Sequence, residues 1–123
     1  MNICYVPVSL GELYDKYSIL LIKSERIIED YKKNEISKEI RLLKQFVEKF
    51  NLNQELQEKI KNINEQLWVI EDDIRKKELK QEFDEEFIQL ARQVYKINDQ
   101  RCKVKIEINK TLNSQINDIK SYL

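Results

Sequence analysis

Residues 54–79, QELQEKIKNINEQLWVIEDDIRKKEL, place Leu56, Ile60, Ile63, Leu67, Ile70 and Ile74 in successive steps of four, three, four, three and four. Such spacing draws one apolar seam along a helix and requires a second helix to cover it. Asn53 stands before the stretch as its N-cap, a side-chain oxygen for an orphan amide of the first turn. After the short link KQEF the chain meets Asp84, the cap of a further helix. Phe83 and Ile88 flank that cap as a hydrophobic staple, and Glu85 and Glu86 sit at the positive end of the helix dipole. A link this short folds the two helices into an antiparallel hairpin. The second of them is expected over 85–120, roughly 50 Å if unbroken. Its end, with Leu112, Ile116 and Ile119, then overhangs the hairpin and needs cover from the first helix or from a second subunit.

Towards the N-terminus, Ser9 and Glu12 have the spacing of a capping box, with Val8 and Leu13 as its staple. The helix they open is expected over 10–33. Ile19, Leu20, Leu21 and Ile22 leave it no polar face for one turn, which places it centrally. The KKNE around Asn34 is read as a break and Ser37 as the cap of a shorter helix over 38–50, with NLN at 51–53 as the next break. Residues 2–8, NICYVPV, form an extended arm, since Pro7 biases Val6 away from the helical region. The expectation is one all-α domain over 1–123: an antiparallel helical bundle of three long helices and one shorter helix, with an extended N-terminal arm.

Composition bounds the function. One Gly and one Pro leave little room for β-turns, while 36% charged and 41% hydrophobic residues suit long amphipathic helices. Twenty-two basic residues balance 22 acidic ones, where a nucleic-acid binder usually has a basic excess. Residues 92–123 hold seven basic and three acidic side chains, a local excess read as a solvated helix face. There is no His, so any catalysis would run on carboxylates, Lys, Arg or Tyr. Cys4 and Cys102 are far apart and signal neither a disulfide framework nor a zinc site. No stretch is long and apolar enough to span a bilayer, and the N-terminus lacks a signal-peptide pattern. A cytoplasmic protein is expected, with no cofactor, no metal, no nucleic-acid partner and no membrane.

One segment departs from the amphipathic rule. In VYKINDQRCKVK, residues 94–105, Asn98 and Asp99 are poor helix formers in the middle of the fourth helix. The edge that begins with Ala91 continues through Tyr95, Asn98, Cys102, Lys105 and Asn109, so one flank of the core turns polar. Glu12, Asp15, Lys16 and Lys23 flank the apolar turn of the first helix, and Glu71, Asp72 and Arg75 lie beside the third-helix seam. Three readings stay open. The polar residues form an internally satisfied network that sets helix register. Alternatively Lys16, Lys23, Arg75, Asn98, Arg101, Lys105 and Asn109 converge on an anionic small molecule between helices, with Glu12, Asp15, Glu71, Asp72 and Asp99 as the surrounding network. The third reading is a kink at Asn98–Asp99 with no functional meaning. Glu12–Asp15 and Glu71–Asp72 also resemble half of a magnesium site, but acidic pairs are common in Glu-rich helices.

The stretches VPVSLGELYDKYSILLIK, LWVIEDDIR and FDEEFIQLARQVYKINDQRCKVKIEIN, with a terminal KSY, resemble a family of small bacterial proteins of unknown function. Ser18 stands where Thr is more usual and Cys102 where Ala is more usual. The likeness spans most of the chain except about residues 32–60. It implies a single cytoplasmic domain and, through an association with surface-glycan synthesis, a nucleotide-sugar or phosphosugar ligand; it supplies no activity. The preferred reading is an interaction or small-anion-binding module, a homodimer or a partner of a larger biosynthetic enzyme. The alternative is a metal-independent enzyme that grips an anionic metabolite (phosphosugar, nucleotide sugar or dicarboxylate) with Arg and Lys clamps.

Overall fold

The computed structural model describes residues 1–121, which form four helices and, among those residues, no strand. They are α1 (Leu10–Arg26), α2 (Asp30–Val47), α3 (Gln54–Lys80) and α4 (Glu85–Thr111). Three of the four start on expected caps: Ser9 Oγ accepts from the Glu12 amide at 3.0 Å, Asn53 Oδ1 from Leu56 at 2.8 Å and Asp84 Oδ1 from Phe87 at 3.0 Å. The capping box at Ser9 is only half formed, because the Glu12 carboxylate turns to Lys105 instead of to the Ser9 amide.

The end of the first helix, both ends of the second and the end of the fourth differ from those expected. The first helix stops at Arg26, not at residue 33, and Ile27 is already extended at φ −86°, ψ 132°. Two consecutive β-branched residues, Ile27 and Ile28, weaken the helix there, and the acids Glu29 and Asp30 favour a new N-terminus. The second helix therefore spans Asp30–Val47 rather than 38–50, and it runs through Asn34 and Ser37. An interior Asn costs under about 0.7 kcal/mol, less than the packing of the apolar side of α2, where Ile36 and Val47 are buried. Tyr14 of α1 secures the far end of α2 by donating its hydroxyl to the Val47 carbonyl at 2.9 Å.

The fourth helix ends at Thr111 instead of near residue 120. Asn113 takes the left-handed conformation at φ 53°, while the Ser114 amide donates to the Asn109 carbonyl and the Asn113 amide to that of Lys110. This is a Schellman stop, and Asn is the commonest residue after Gly to adopt it. α3 ends in the same way on Gln81 at φ 54°, through Glu82 to Lys77 and Gln81 to Glu78. Leu112, Ile116 and Ile119 thus do not form a helical overhang; Leu112 packs against the core and Ile119 is 95% exposed. α4 stays helical through Asn98 and Asp99.

α1 packs on the other three helices, whereas α2 packs on α1 alone. Leu20 and Ile22 of α1's all-apolar turn are buried. The contacts of α3 with α4 join Lys59 to Glu107 and Lys77 to Glu86, the start of each to the end of the other. Leu56, Ile60, Ile63 and Leu67 meet Val104 and Ile108 in the core with Leu13 and Tyr14. That core fades along the pair: past Ile70 no described apolar residue of α3 is buried, and Phe87, Leu90 and Val94 of α4 are only half-buried. The last ten residues of α3, about 15 Å of helix, and the first turns of α4 form a tip. Lys77 closes it, reaching Glu82, Asp84 and Glu86 at 2.9–3.2 Å.

Candidate functional site

The polar residues of the interior lie in two clusters, both built around α1. The first holds the start of that helix. A helix begins with amides that have no intrahelical acceptor, and here Leu10, Gly11 and Glu12 each find a side chain. Gly11 donates to Asn109 Oδ1 at 2.6 Å, Leu10 to Ser114 Oγ at 3.1 Å, and Glu12 to Ser9 Oγ. Two of those three acceptors come from the end of α4 and the turn beyond it. Gly11 permits the approach: a Cβ there would stand 2.5 Å from the Lys105 carbonyl oxygen and 3.0 Å from Asn109 Oδ1.

Asp118 completes this cluster from the segment after α4. It accepts from Ser9 Oγ at 2.8 Å and from Asn109 Nδ2 at 2.6 Å, and it pairs with Lys105 at 3.2 Å. Lys105 Nζ also donates to Glu12 Oε2 at 2.6 Å. Burial pushes the Asp118 carboxyl up, but the donors Asn109, Ser9 and Lys105 outweigh it and hold the group below the usual carboxylate range. For Lys105 burial works downward, and the carboxylates of Glu12 and Asp118 overcome it, so the ammonium is held above its ordinary value. The carboxylate also lies beside a helix N-terminus, where negative charge is favoured.

The second cluster lies farther along α1. Asp15, 3% exposed, accepts from Asn64 Nδ2 at 2.8 Å and has Arg101 Nε at 3.8 Å. Asn64 also donates to Ser18 Oγ at 2.8 Å, and Ser18 donates onward to the Asp15 carbonyl at 2.7 Å. One residue each from α3 and α4 therefore meets two from α1. Asp99 lies apart from both clusters and pairs with Lys120. Among the described residues, every buried side-chain nitrogen and oxygen has a hydrogen-bond partner.

The seven residues expected to converge on an anion are not gathered at one place. Arg101, Lys105 and Asn109 belong to the two clusters, where carboxylates of the chain engage both cations. Lys16 is exposed and pairs with Glu39 of α2 at 3.0 Å. Lys23 is half-buried without a partner among the described residues, and lines a 280 Å³ cleft with Lys16, Glu12, Asp15 and Glu39. Asn98 is half-buried, and its side chain makes no hydrogen bond among the described residues. Arg75, Glu71 and Asp72 are exposed on the tip, far along α3 from Asn64. Among the described residues no group of three or more acids or cysteines is gathered as metal ligands would be; Glu12 and Asp15 are turned to Lys105 and to Asn64 with Arg101.

Sequence reasoning missed Ser9 in its second role, Gly11, Ser18, Asn64, Ser114 and Asp118. Two of these had a readable signal. Gly11 is the only glycine of the chain, and it stands inside a helix, where glycine is unfavourable unless a close approach requires it. Asn64 is a polar residue next to Ile63 of the seam, four residues past Ile60. Asp118 had none, since its place depends on the reversal at Asn113.

A family model described as a family of unknown function (DUF6165) matches residues 4–123, and the chain belongs to that family. No curated protein and no solved structure matches it. No helix among the described residues is long and apolar enough to cross a membrane.

Proposed function

We propose that this member of a family of unknown function is a helical interaction module, an antiparallel bundle whose polar network fastens the fold rather than receives a ligand. The observation that carries the reading is that the network closes on itself. Arg101, Lys105 and Asn109, the cations and amide best placed to grip an anion in the core, are already engaged by Asp15, Glu12, Asp118 and the Gly11 amide. A buried charge whose partner is removed costs several kcal/mol, so an anionic ligand would have to displace these carboxylates at a large cost. Among the surfaces the fold leaves available, besides the N-terminal segment with Ile3, Tyr5 and Val6 and the α1–α2 turn with Ile28 and Tyr31, is the tip of α3 and α4 with its approach, where Val69, Leu79, Phe83, Ile88 and Tyr95 are exposed. The partner is a protein: a second copy in a homodimer, or a larger biosynthetic enzyme. The module works in the cytoplasm without cofactor or metal.

The second reading, a small-anion site, has one observation in its favour: Lys23 in the cleft between α1 and α2. Three carboxylates, Glu12, Asp15 and Glu39, line the same cleft with Lys16, which makes it a poor receptor for a dianion. An enzyme that used this cleft would meet the same obstacle.

A thermal-shift panel separates these readings. Nucleotides, nucleotide sugars, phosphosugars and dicarboxylates are each added with and without magnesium. A ligand at about a hundred times its dissociation constant adds about 2.7 kcal/mol of stability. No shift is expected. A rise of several degrees that disappears in Lys23→Ala, with the variant still folded, would overturn the module reading in favour of an anion site.

A further inference from the structure

The tip carries a pattern that neither the core nor the polar clusters use. From Val69 to Leu79, α3 reads VIEDDIRKKEL: three acids, then Ile74, then three bases. Of those six charged residues only Lys77 makes an ion pair among the described residues, with Glu82, Asp84 and Glu86. Glu71 and Arg75, like Asp72 and Lys76, have the spacing of ion pairs within one helix. Neither pair forms. Glu71, Asp72, Arg75 and Lys76 are all exposed. So are Val69, at 46%, and Leu79, at 85%.

Positions 69, 72, 76 and 79 are three, four and three residues apart, which places them on one helix face, opposite the seam of Ile63, Leu67, Ile70 and Ile74. That face is symmetric about residue 74 with its signs reversed. Val69 and Leu79 each stand five residues from Ile74, and Asp72 and Lys76 each stand two. A two-fold axis at the level of Ile74 therefore sets Asp72 against Lys76 of a second copy and Val69 against Leu79, twice over. On the flank of the same face it sets Glu71 and Asp72 near Arg75.

We propose that Val69–Leu79 of α3 is an isologous, antiparallel contact between two copies of this chain. The proposal rests on the reading of the chain as an interaction module, and it names the partner and the surface. Self-pairing is favoured over a different protein because the charge order is its own complement under a two-fold axis, as an isologous interface requires. A parallel arrangement in register would set acid on acid and base on base.

The test is a charge exchange read by sedimentation equilibrium. Variant R75E/K76E makes the face acidic and variant E71K/D72K makes it basic. The native protein is expected to be a dimer that weakens as salt is raised. Each variant alone is expected to associate at least about tenfold more weakly with its helical circular dichroism unchanged, and an equimolar mixture of the two to recover the dimer. Dimers of the single variants as tight as the native one would place the interface elsewhere and overturn the proposal, as would a mixture that stays monomeric. A native protein that is monomeric at about 100 µM overturns self-pairing but leaves the module reading to its own metabolite test. Should a charge variant lose helicity, V69C and L79C in a C4S/C102S background decide the matter. A disulfide is expected between the two variants in a mixture and not within either alone, whereas its absence from the mixture overturns the antiparallel register.

Discussion

Gly11→Ala tests the joint that closes the fold, because two physical effects of the substitution have opposite signs. If α1 were an ordinary surface helix, alanine would stabilise it by up to about 1 kcal/mol through helix propensity. In the structure the new Cβ would lie 2.5 Å from the Lys105 carbonyl oxygen. That atom is helix backbone and cannot rotate away. Relief to an ordinary contact requires α1 and α4 to part by about 1 Å, which strains the packing by about 1–3 kcal/mol. The same movement stretches the 2.6 Å bond from the Gly11 amide to Asn109 Oδ1, and a buried donor left unpaired costs about 1–3 kcal/mol. The net expectation is a destabilisation of about 2–4 kcal/mol. For a chain of this length 1 kcal/mol corresponds to about 4 °C, so Tm should fall by about 8–15 °C. Thermal denaturation followed by circular dichroism measures it. Asn109→Ala provides the internal check: the two substitutions remove one shared bond, so their combined effect should be smaller than the sum. A Gly11→Ala protein as stable as the native one, or more stable, would refute the close approach and with it the account of the first cluster.

Three further outcomes are expected. Asp118→Asn should lower Tm at neutral pH and flatten its acid dependence: the folded carboxyl lies below its unfolded value of about 3.9, so its stabilisation is complete above that pH and is lost as pH falls through the lower folded value. Melts from pH 7 down to about pH 2 would show the native slope and the shallower variant slope; equal slopes would exclude Asp118 from acid stability. Asn64→Leu removes a donor from the buried Asp15 carboxylate and should cost about 1–3 kcal/mol in urea denaturation, while an unchanged midpoint would mean that water replaces the amide at no cost. Gln81→Gly should stabilise by about 1 kcal/mol, since a left-handed backbone at φ 54° is strained for glutamine and free for glycine; a lower Tm would show that the flexibility of glycine in the unfolded chain outweighs the relief.

The parts of the fold legible in the sequence were those set by local rules. The seam from Leu56 to Ile74 and the caps Ser9, Asn53 and Asp84 concern residues within one or two turns of each other, and each of those caps takes its expected amide. The boundaries that went astray depend on distant contacts. Asn34 looked like a break because its propensity is poor, but α2 runs through it, docked along α1 and fastened by Tyr14 to Val47. Residues 112–120 continued a helical apolar spacing, yet the left-handed Asn113 ends the helix and directs the chain back towards Ser9. The candidate site divided in the same way. Glu12, Asp15, Arg101, Lys105 and Asn109 were recognisable as polar residues on core-facing edges. Their partners Ser114 and Asp118 were not, and Asn64 was marked only by its place beside the seam, because pairing is set by the relative placement of helices and by a turn whose signal is a single Asn.

The connectivity of the first cluster bears on what kind of molecule this is. Ser9 and Asp118 lie 109 residues apart in sequence and share a hydrogen bond, as do Leu10 and Ser114, 104 apart. The start of the central helix is therefore completed only when the segment after the last helix has returned to it. A fold closed in this way gains little from local propensity at either end, and it holds its orientation through charged and hydrogen-bonded groups that tolerate little displacement. That rigidity is concentrated in the half of the molecule where the core is deepest. At the other end α3 and α4 pair with each other, and the exposed residues there are mostly charged, with Leu79, Phe83 and Ile88 among them. In the clasp the cations Lys105 and Arg101 are paired with carboxylates of the chain, whereas Lys23 in the neighbouring cleft has no such partner among the described residues. Substitutions in the clasp should therefore register first as lost stability.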